Sequence, residues 1–151
     1  MKVTVFLKND HEVVKSLFAR YKKASNRAQN GKKEVFEEIR REILIHSQVE
    51  MEIFYPALTS TASTTAAQLV ASAEEDHQTV EKLLGELARL GAQDRTFDSK
   101  MTHLIEEVTR HIEKEEDEIF TEARKILPEY RLEELGLEME DRRKILTELA
   151  A

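Results

Sequence analysis

Four of the five histidines in this chain are followed by a glutamate four residues later: His46 by Glu50, His77 by Glu81, His103 by Glu107 and His111 by Glu115. On a helix that spacing puts an imidazole and a carboxylate on one face, about 40° apart, so both can reach one metal ion. Composition alone makes the spacing common, because about one position in six is Glu, and such pairs also support exposed helices by a few tenths of a kcal/mol. Depth along the helices separates the copies. Counted at about 1.5 Å per residue from the end formed by the 29–32 and 91–98 links, His11, His46, Glu50, His77, His111 and Glu115 lie about 27, 20, 26, 20, 18 and 24 Å away. These six share one slab. His103 lies about 12 Å nearer that end than His111, and Glu81 about 6 Å nearer than His77. His103 with Glu107 therefore reads as a solvated pair.

Four imidazoles and two carboxylates suit two borderline cations, Fe, Mn or Zn, better than one. With no Cys, any metal must be held by nitrogen and oxygen. Dividing the imidazoles as His11 with His46 and His77 with His111, and letting Glu50 and Glu115 bridge, gives each ion two nitrogens and two oxygens. An oxide or hydroxide can add a third bridge, which leaves one open position per ion. Zinc would act there as a Lewis acid only, whereas an iron pair can bind O2, peroxide or NO.

The elements that must position these residues are helical. Apolar residues recur at helical spacing, and Gly31, Pro56, Gly91 and Pro128 punctuate the runs. The pattern predicts an N-terminal arm over 1–9 packed across one end of the bundle, helices over about 10–28, 33–55, 64–90 and 99–127, and a short C-terminal helix over about 129–149. Ser63 or Thr64 opens the third helix and Gly91 closes it as a C-cap glycine. Four long helices with short links make an all-α, up-and-down antiparallel four-helix bundle the economical fold, with the short extra helix at its C-terminal end. Tyr21 and Tyr55 read as packers on apolar faces. Glu113, Glu116, Asp117 and Glu118 read as exposed charge, one of them available to hydrogen-bond a ligand histidine. Glu74 is at a suitable depth to assist but sits about 60° round from His77.

The 151 residues fit one domain. A net charge of −7 without a Lys/Arg cluster argues against nucleic acid and anionic membranes. No apolar stretch approaches the roughly 20 residues of a membrane span, and the opening MKVTVFLKND lacks a signal-peptide core, so the cytoplasm is the expected location.

The ordered set formed by NDHEVV around His11, HSQVEMEIFYPAL from His46, EEDHQTVEKLL around His77 and HIEKEEDEIF from His111 resembles the hemerythrin-like (HHE cation-binding) family. The resemblance implies a four-helix bundle with a non-haem di-iron centre in which Glu50 and Glu115 bridge the irons. Oxygen-carrying members bear a further histidine one turn before the third-helix ligand, where this chain has Ala73, and usually close the fourth-helix motif with an Asp one residue further on. Two open irons favour sensing, storage or scavenging of O2, NO or peroxide over simple reversible O2 carriage. Peroxidase, catalase-like or ferroxidase turnover is the alternative, and a metal-independent helical interaction module is the second. The ferritin-type Glu-x-x-His pattern is met only by Glu74 with His77. No protein partner is legible.

Overall fold

The computed structural model describes residues 1–24 and 29–150; the expected end of the first helix, near Ala28, lies outside them. All regular structure among the described residues is helical: α1 (Val3–Ala24), α2 (Gln29–Val49), α3 (Tyr55–Thr59), α4 (Thr64–Arg89), α5 (Phe97–Lys114), α6 (Phe120–Ile126) and α7 (Glu129–Ala150). Two π-helical turns, Glu50–Phe54 and Glu115–Ile119, join α2 to α3 and α5 to α6 without a break. The result is the four-helix bundle the patterning predicts, with α7 added. No helix among the described residues is long and apolar enough to cross a membrane.

The boundaries differ from expectation in ways that have physical causes. The predicted arm is the first two turns of α1, because Val3, Phe6 and Leu7 bury against Leu132, Leu135 and Met139 of α7. Gly136 permits that contact, since a Cβ there would overlap the backbone of Met1 to Val3. Gly31 lies within α2 and does not separate helices. Pro56 does not end the second run, which continues to Thr59. The proline follows a π turn and sits in the first turn of α3, where its missing N–H is tolerated. α4 ends at Arg89 with Leu90 extended, and Gly91 has no positive φ. The cap is Lys33, whose Nζ donates to the carbonyls of Leu87, Ala88 and Leu90 at 3.2, 3.3 and 3.0 Å. A cation there satisfies orphan carbonyls and the negative end of the helix dipole together. At the other end Ser63 caps α4 as expected, accepting from the Ala66 N–H at 3.0 Å.

The apolar interior falls into two clusters. One holds Val3, Leu7, Phe54, Leu58, Val70, Phe120 and the inner face of α7. The other holds Val14, Phe36, Ile39, Leu84, Phe97 and Leu104 toward the 91–98 link. Between them lies a slab of buried polar side chains that belongs to neither.

Candidate metal centre

The slab contains all six residues selected by depth. His11 comes from α1, His46 from α2, Glu50 from the π turn that follows it, His77 from α4, His111 from α5 and Glu115 from the second π turn. All are buried, and Glu50 and Glu115 are 0% exposed. Their donor atoms form two groups, His11, His46, Glu50 and Glu115 in one and Glu50, His77 and His111 in the other. The imidazole pairing is the one expected, with ring centroids 4.9 Å apart in both pairs.

The distances within the groups are those of ligands around an ion. His11 Nε2 is 3.1 Å from Glu115 Oε1, and Glu50 Oε1 is 3.2 Å from His46 Nε2 and 3.3 Å from His77 Nε2. Two donors each about 2.1 Å from one ion and at right angles stand about 3.0 Å apart. Among the described residues, the buried side-chain atoms without any hydrogen-bond partner are His11 Nε2, His46 Nε2, Glu50 Oε1 and Oε2, and Glu115 Oε1. Every one belongs to this set. Buried polar atoms are normally paired, so lone pairs left unpaired and converging at one place fit a cation.

Each histidine is held from behind. His11 Nδ1 meets Glu116 Oε2 at 2.7 Å, His46 Nδ1 meets Asp10 Oδ2 at 2.6 Å, His77 Nδ1 meets Ser47 Oγ at 2.7 Å and His111 Nδ1 meets Asp76 Oδ2 at 3.1 Å. With Nδ1 engaged by an outer oxygen, all four rings turn Nε2 inward, the arrangement that orients imidazole for a metal. Glu116 is the acidic residue of the HIEKEEDEIF block that performs this task. Asp10, Ser47 and Asp76 were not legible, because all four of these contacts run between helices whose mutual rotation the sequence does not show. Asp76, and not Glu74, reaches His111. His103 lies outside the slab with its side chain 56% exposed, its Nε2 3.7 Å from Glu107.

The buried acids and imidazoles of the slab shift one another's titration. Burial alone would raise Glu50, but the charge on His46 and contacts with Glu115, His46 and His77 hold it well below the usual carboxylate range. Glu115 is pushed up by burial and by the neighbouring Glu50 charge. Burial alone would lower His46, yet Glu50 and Asp10 hold it well above its ordinary value. Metal uptake by such a set requires its imidazoles and carboxylates in their deprotonated forms.

Tyr55 packs in an apolar cluster as periodicity predicts, and its hydroxyl adds a contact that periodicity does not show. Its hydroxyl donates to Glu115 Oε2 at 2.5 Å and lies 3.2 Å from His77 Nε2. Burial, then the Glu115 and Glu50 charges, raise this phenol well above its ordinary range. On a regular helix Tyr55 would sit about 140° round from Glu50. The π turn closes with the Tyr55 N–H on the Glu50 carbonyl, so Tyr55 takes roughly the place of an i+4 neighbour, about 40° from Glu50. Ala73, one turn before His77, is buried in the same apolar cluster as Tyr55.

On the opposite side of the histidines lies an apolar cavity of about 40 Å³, lined by His11, His46, His77 and His111 together with Val14, Ile43, Val80, Val108 and Ile112. Leu44 and Glu81, both exposed, also line it, so it approaches the surface between α2 and α4.

Comparisons with known proteins agree with the fold. No curated protein matches the chain. Among solved structures, a hemerythrin HHE cation binding domain-containing protein from Mycobacterium kansasii is similar at a TM-score of 0.82 and 25% identity, over 97% of this chain and 87% of that one. The family model described as the hemerythrin HHE cation binding domain matches residues 3–123, which contain all six buried ligand candidates and both π turns. The chain therefore belongs to the hemerythrin HHE cation-binding domain family.

Proposed function

We propose that the protein holds two iron ions between its four helices, with Glu50 and Glu115 bridging, and uses them to bind O2, NO or peroxide in sensing, storage or scavenging. His11 and His46 would serve one ion, and His77 and His111 the other. Zn or Mn fits the same donors, but only a redox-active metal gives such a site chemistry toward diatomic ligands. Iron bound there would supply electrons and open coordination positions; the chain supplies the rest.

The observation that carries the small-ligand reading is the cavity against the four imidazoles. At about 10–15 Å³ for each water-sized occupant, its 40 Å³ admits roughly three or four such molecules and is too small for a bulky organic substrate. Its aliphatic lining favours neutral O2, NO or hydrogen peroxide over ions. The fixed Nδ1 contacts keep the rings from turning as a ligand enters.

A second reading, turnover of peroxide, is favoured by the Tyr55 hydroxyl, a proton donor held at Glu115 and His77 on the far side of the site. The test is metal analysis paired with optical spectra of the anaerobically reduced protein titrated with O2 and then NO. About two irons per chain and bands that change with either gas are expected. Full iron loading without a spectral response to O2, NO or peroxide would sink the proposal. Steady-state peroxide consumption lost in Glu50→Ala would decide for turnover over binding.

A further inference from the structure

Two of the carboxylates that hold the histidines are themselves held by arginine. Asp76, behind His111, is met by Arg110 Nη2 at 3.3 Å. That guanidinium comes from α5 and its side chain is 53% exposed. Asp10, behind His46, is met by Arg143 Nη1 at 3.2 Å. Arg143 stands on α7, outside the residues matched by the family model, and its side chain is only 21% exposed. Its Nη2 also pairs with Glu42, one turn before His46 on α2. The next residue along, Arg142, donates to Glu52 at 2.8 Å and ties α7 to the π turn that begins at Glu50.

We propose that Arg143 is a positioning residue of the metal centre: it holds the Asp10 carboxylate on His46 Nδ1 and makes the C-terminal helix a working part of the site formed by His11, His46, Glu50 and Glu115. The inference rests on the metal-binding reading of those residues. Asp10 and Glu42 are largely buried acids served by one planar guanidinium, whose fork can contact both at once. Without it, two carboxylates stand uncompensated in one place, and mutual repulsion drives Asp10 off the imidazole. His46 then loses the contact that fixes its ring. The group of Glu50, His77 and His111 has its own supports in Ser47 and Asp76, so the effect is confined to one of two ions.

The test uses the full chain loaded with Co2+, whose visible bands report the ligand field, and follows release of each ion into excess chelator. Arg143→Ala is expected to accelerate release of half the bound Co2+ about tenfold, the lower end of the 10–100-fold loss typical when an outer partner of a ligand is removed. The other half keeps its rate. Arg143→Lys, which retains charge without the fork, recovers part of the loss. In an Asp10→Asn background the Arg143→Ala change should alter release by less than about twofold, because effects that pass through one contact do not add. A full tenfold effect in that background, equal acceleration of both ions, or release at the wild-type rate in Arg143→Ala would each overturn the proposal. If Arg143→Ala does not fold, Arg143→Gln provides the test, because it keeps most of the stem and loses the charge: faster release of the same half supports the proposal and an unchanged rate overturns it. A wild-type chain that takes up no Co2+ would overturn the metal-binding reading and this proposal with it, a result distinct from all the others.

Discussion

Stripping the metal should destabilise this fold by a predictable amount. Five buried atoms of the ligand set have no hydrogen-bond partner within the protein, and an unsatisfied buried polar group costs about 1–3 kcal/mol. The sum, about 5–15 kcal/mol, equals the whole stability of an ordinary domain. An empty site therefore does not stay dry, and water and protons must relieve it. What the ions add can be worked out separately. An ion that binds only the folded state at a hundredfold excess over its Kd contributes about 2.7 kcal/mol, so two independent ions contribute about 5.4 kcal/mol. For a domain of this size each kcal/mol moves Tm by about 2–4 °C, which gives a rise of about 11–22 °C on loading. The assay is far-UV circular dichroism melting under anaerobic conditions, with Fe2+ raised stepwise from a chelated sample verified free of metal. Glu50 belongs to both donor groups and His111 to one. Glu50→Gln should abolish most of the rise, and His111→Ala about half. Amide exchange at Tyr55 and Phe120, whose N–H groups close the two π turns, should be faster in the stripped protein. Identical melting with and without metal would refute the reasoning and favour a metal-independent interaction module.

Three further outcomes are expected. Tyr55→Phe leaves Glu115 Oε2 without its donor and should cost about 1–3 kcal/mol in urea unfolding of the metal-free protein; an unchanged midpoint would mean that the hydroxyl is not held there. Gly136→Ala should destabilise by about 1–3 kcal/mol despite the better helix propensity of Ala, because the added methyl meets the backbone of Met1 to Val3. A more stable variant would show that α1 and α7 do not approach so closely. Tyr21 donates to Asp98 Oδ1 at 2.5 Å and Lys32 to Oδ2 at 2.9 Å, so Tyr21→Phe should cost about 1 kcal/mol at neutral pH. Asp98 is held below its ordinary range by Tyr21 and then Lys32, so its share is present above about pH 4 and lost as pH falls. Tyr21 is raised by burial and then by Asp98, so its share is present below about pH 10 and lost as pH rises. The wild-type advantage in denaturation should therefore shrink at both extremes, and a difference independent of pH would refute the pairing.

Most of the bundle was legible because helical periodicity is a local property. Most apolar residues of α1, α2, α4 and α5 are buried, although Val13 and Leu44 are exposed, and the depth count brought His11, His46, Glu50, His77, His111 and Glu115 together because a fixed rise per residue needs no knowledge of packing. What periodicity could not supply was rotation of one helix against another. Asp10, Ser47 and Asp76 touch their histidines across helix interfaces, and no spacing in the sequence encodes those contacts. Punctuation misled for a related reason. Gly91 read as a cap until Lys33, 58 positions away in the chain, proved to bond the carbonyls instead. The first nine residues read as an arm because their partner, the inner face of α7, lies at the far end of the sequence.

The two π turns explain why a strict 3.6-residue period fails where the chemistry is. Pro56 is the first candidate cause of the first turn, since a proline ring crowds the preceding turn and its missing N–H breaks a rung. The second turn, Glu115–Ile119, contains no proline and has none in the five residues after it, so proline is not the common cause. What the turns share is their first residue, a wholly buried carboxylate aimed at the slab. Each ends on a buried apolar residue and is followed by a buried aromatic one, Phe54 then Tyr55 and Ile119 then Phe120. Phe120 then stacks on His11 with the rings 6.0 Å apart and 3° from parallel. A π turn persists only where its surroundings hold it, and here both turns are clamped by the apolar cluster on one side and the histidines on the other. Glu50 and Glu115 thus gain a fixed position between two helix pairs, and the same distortion turns Tyr55 from a packing residue into a neighbour of the site.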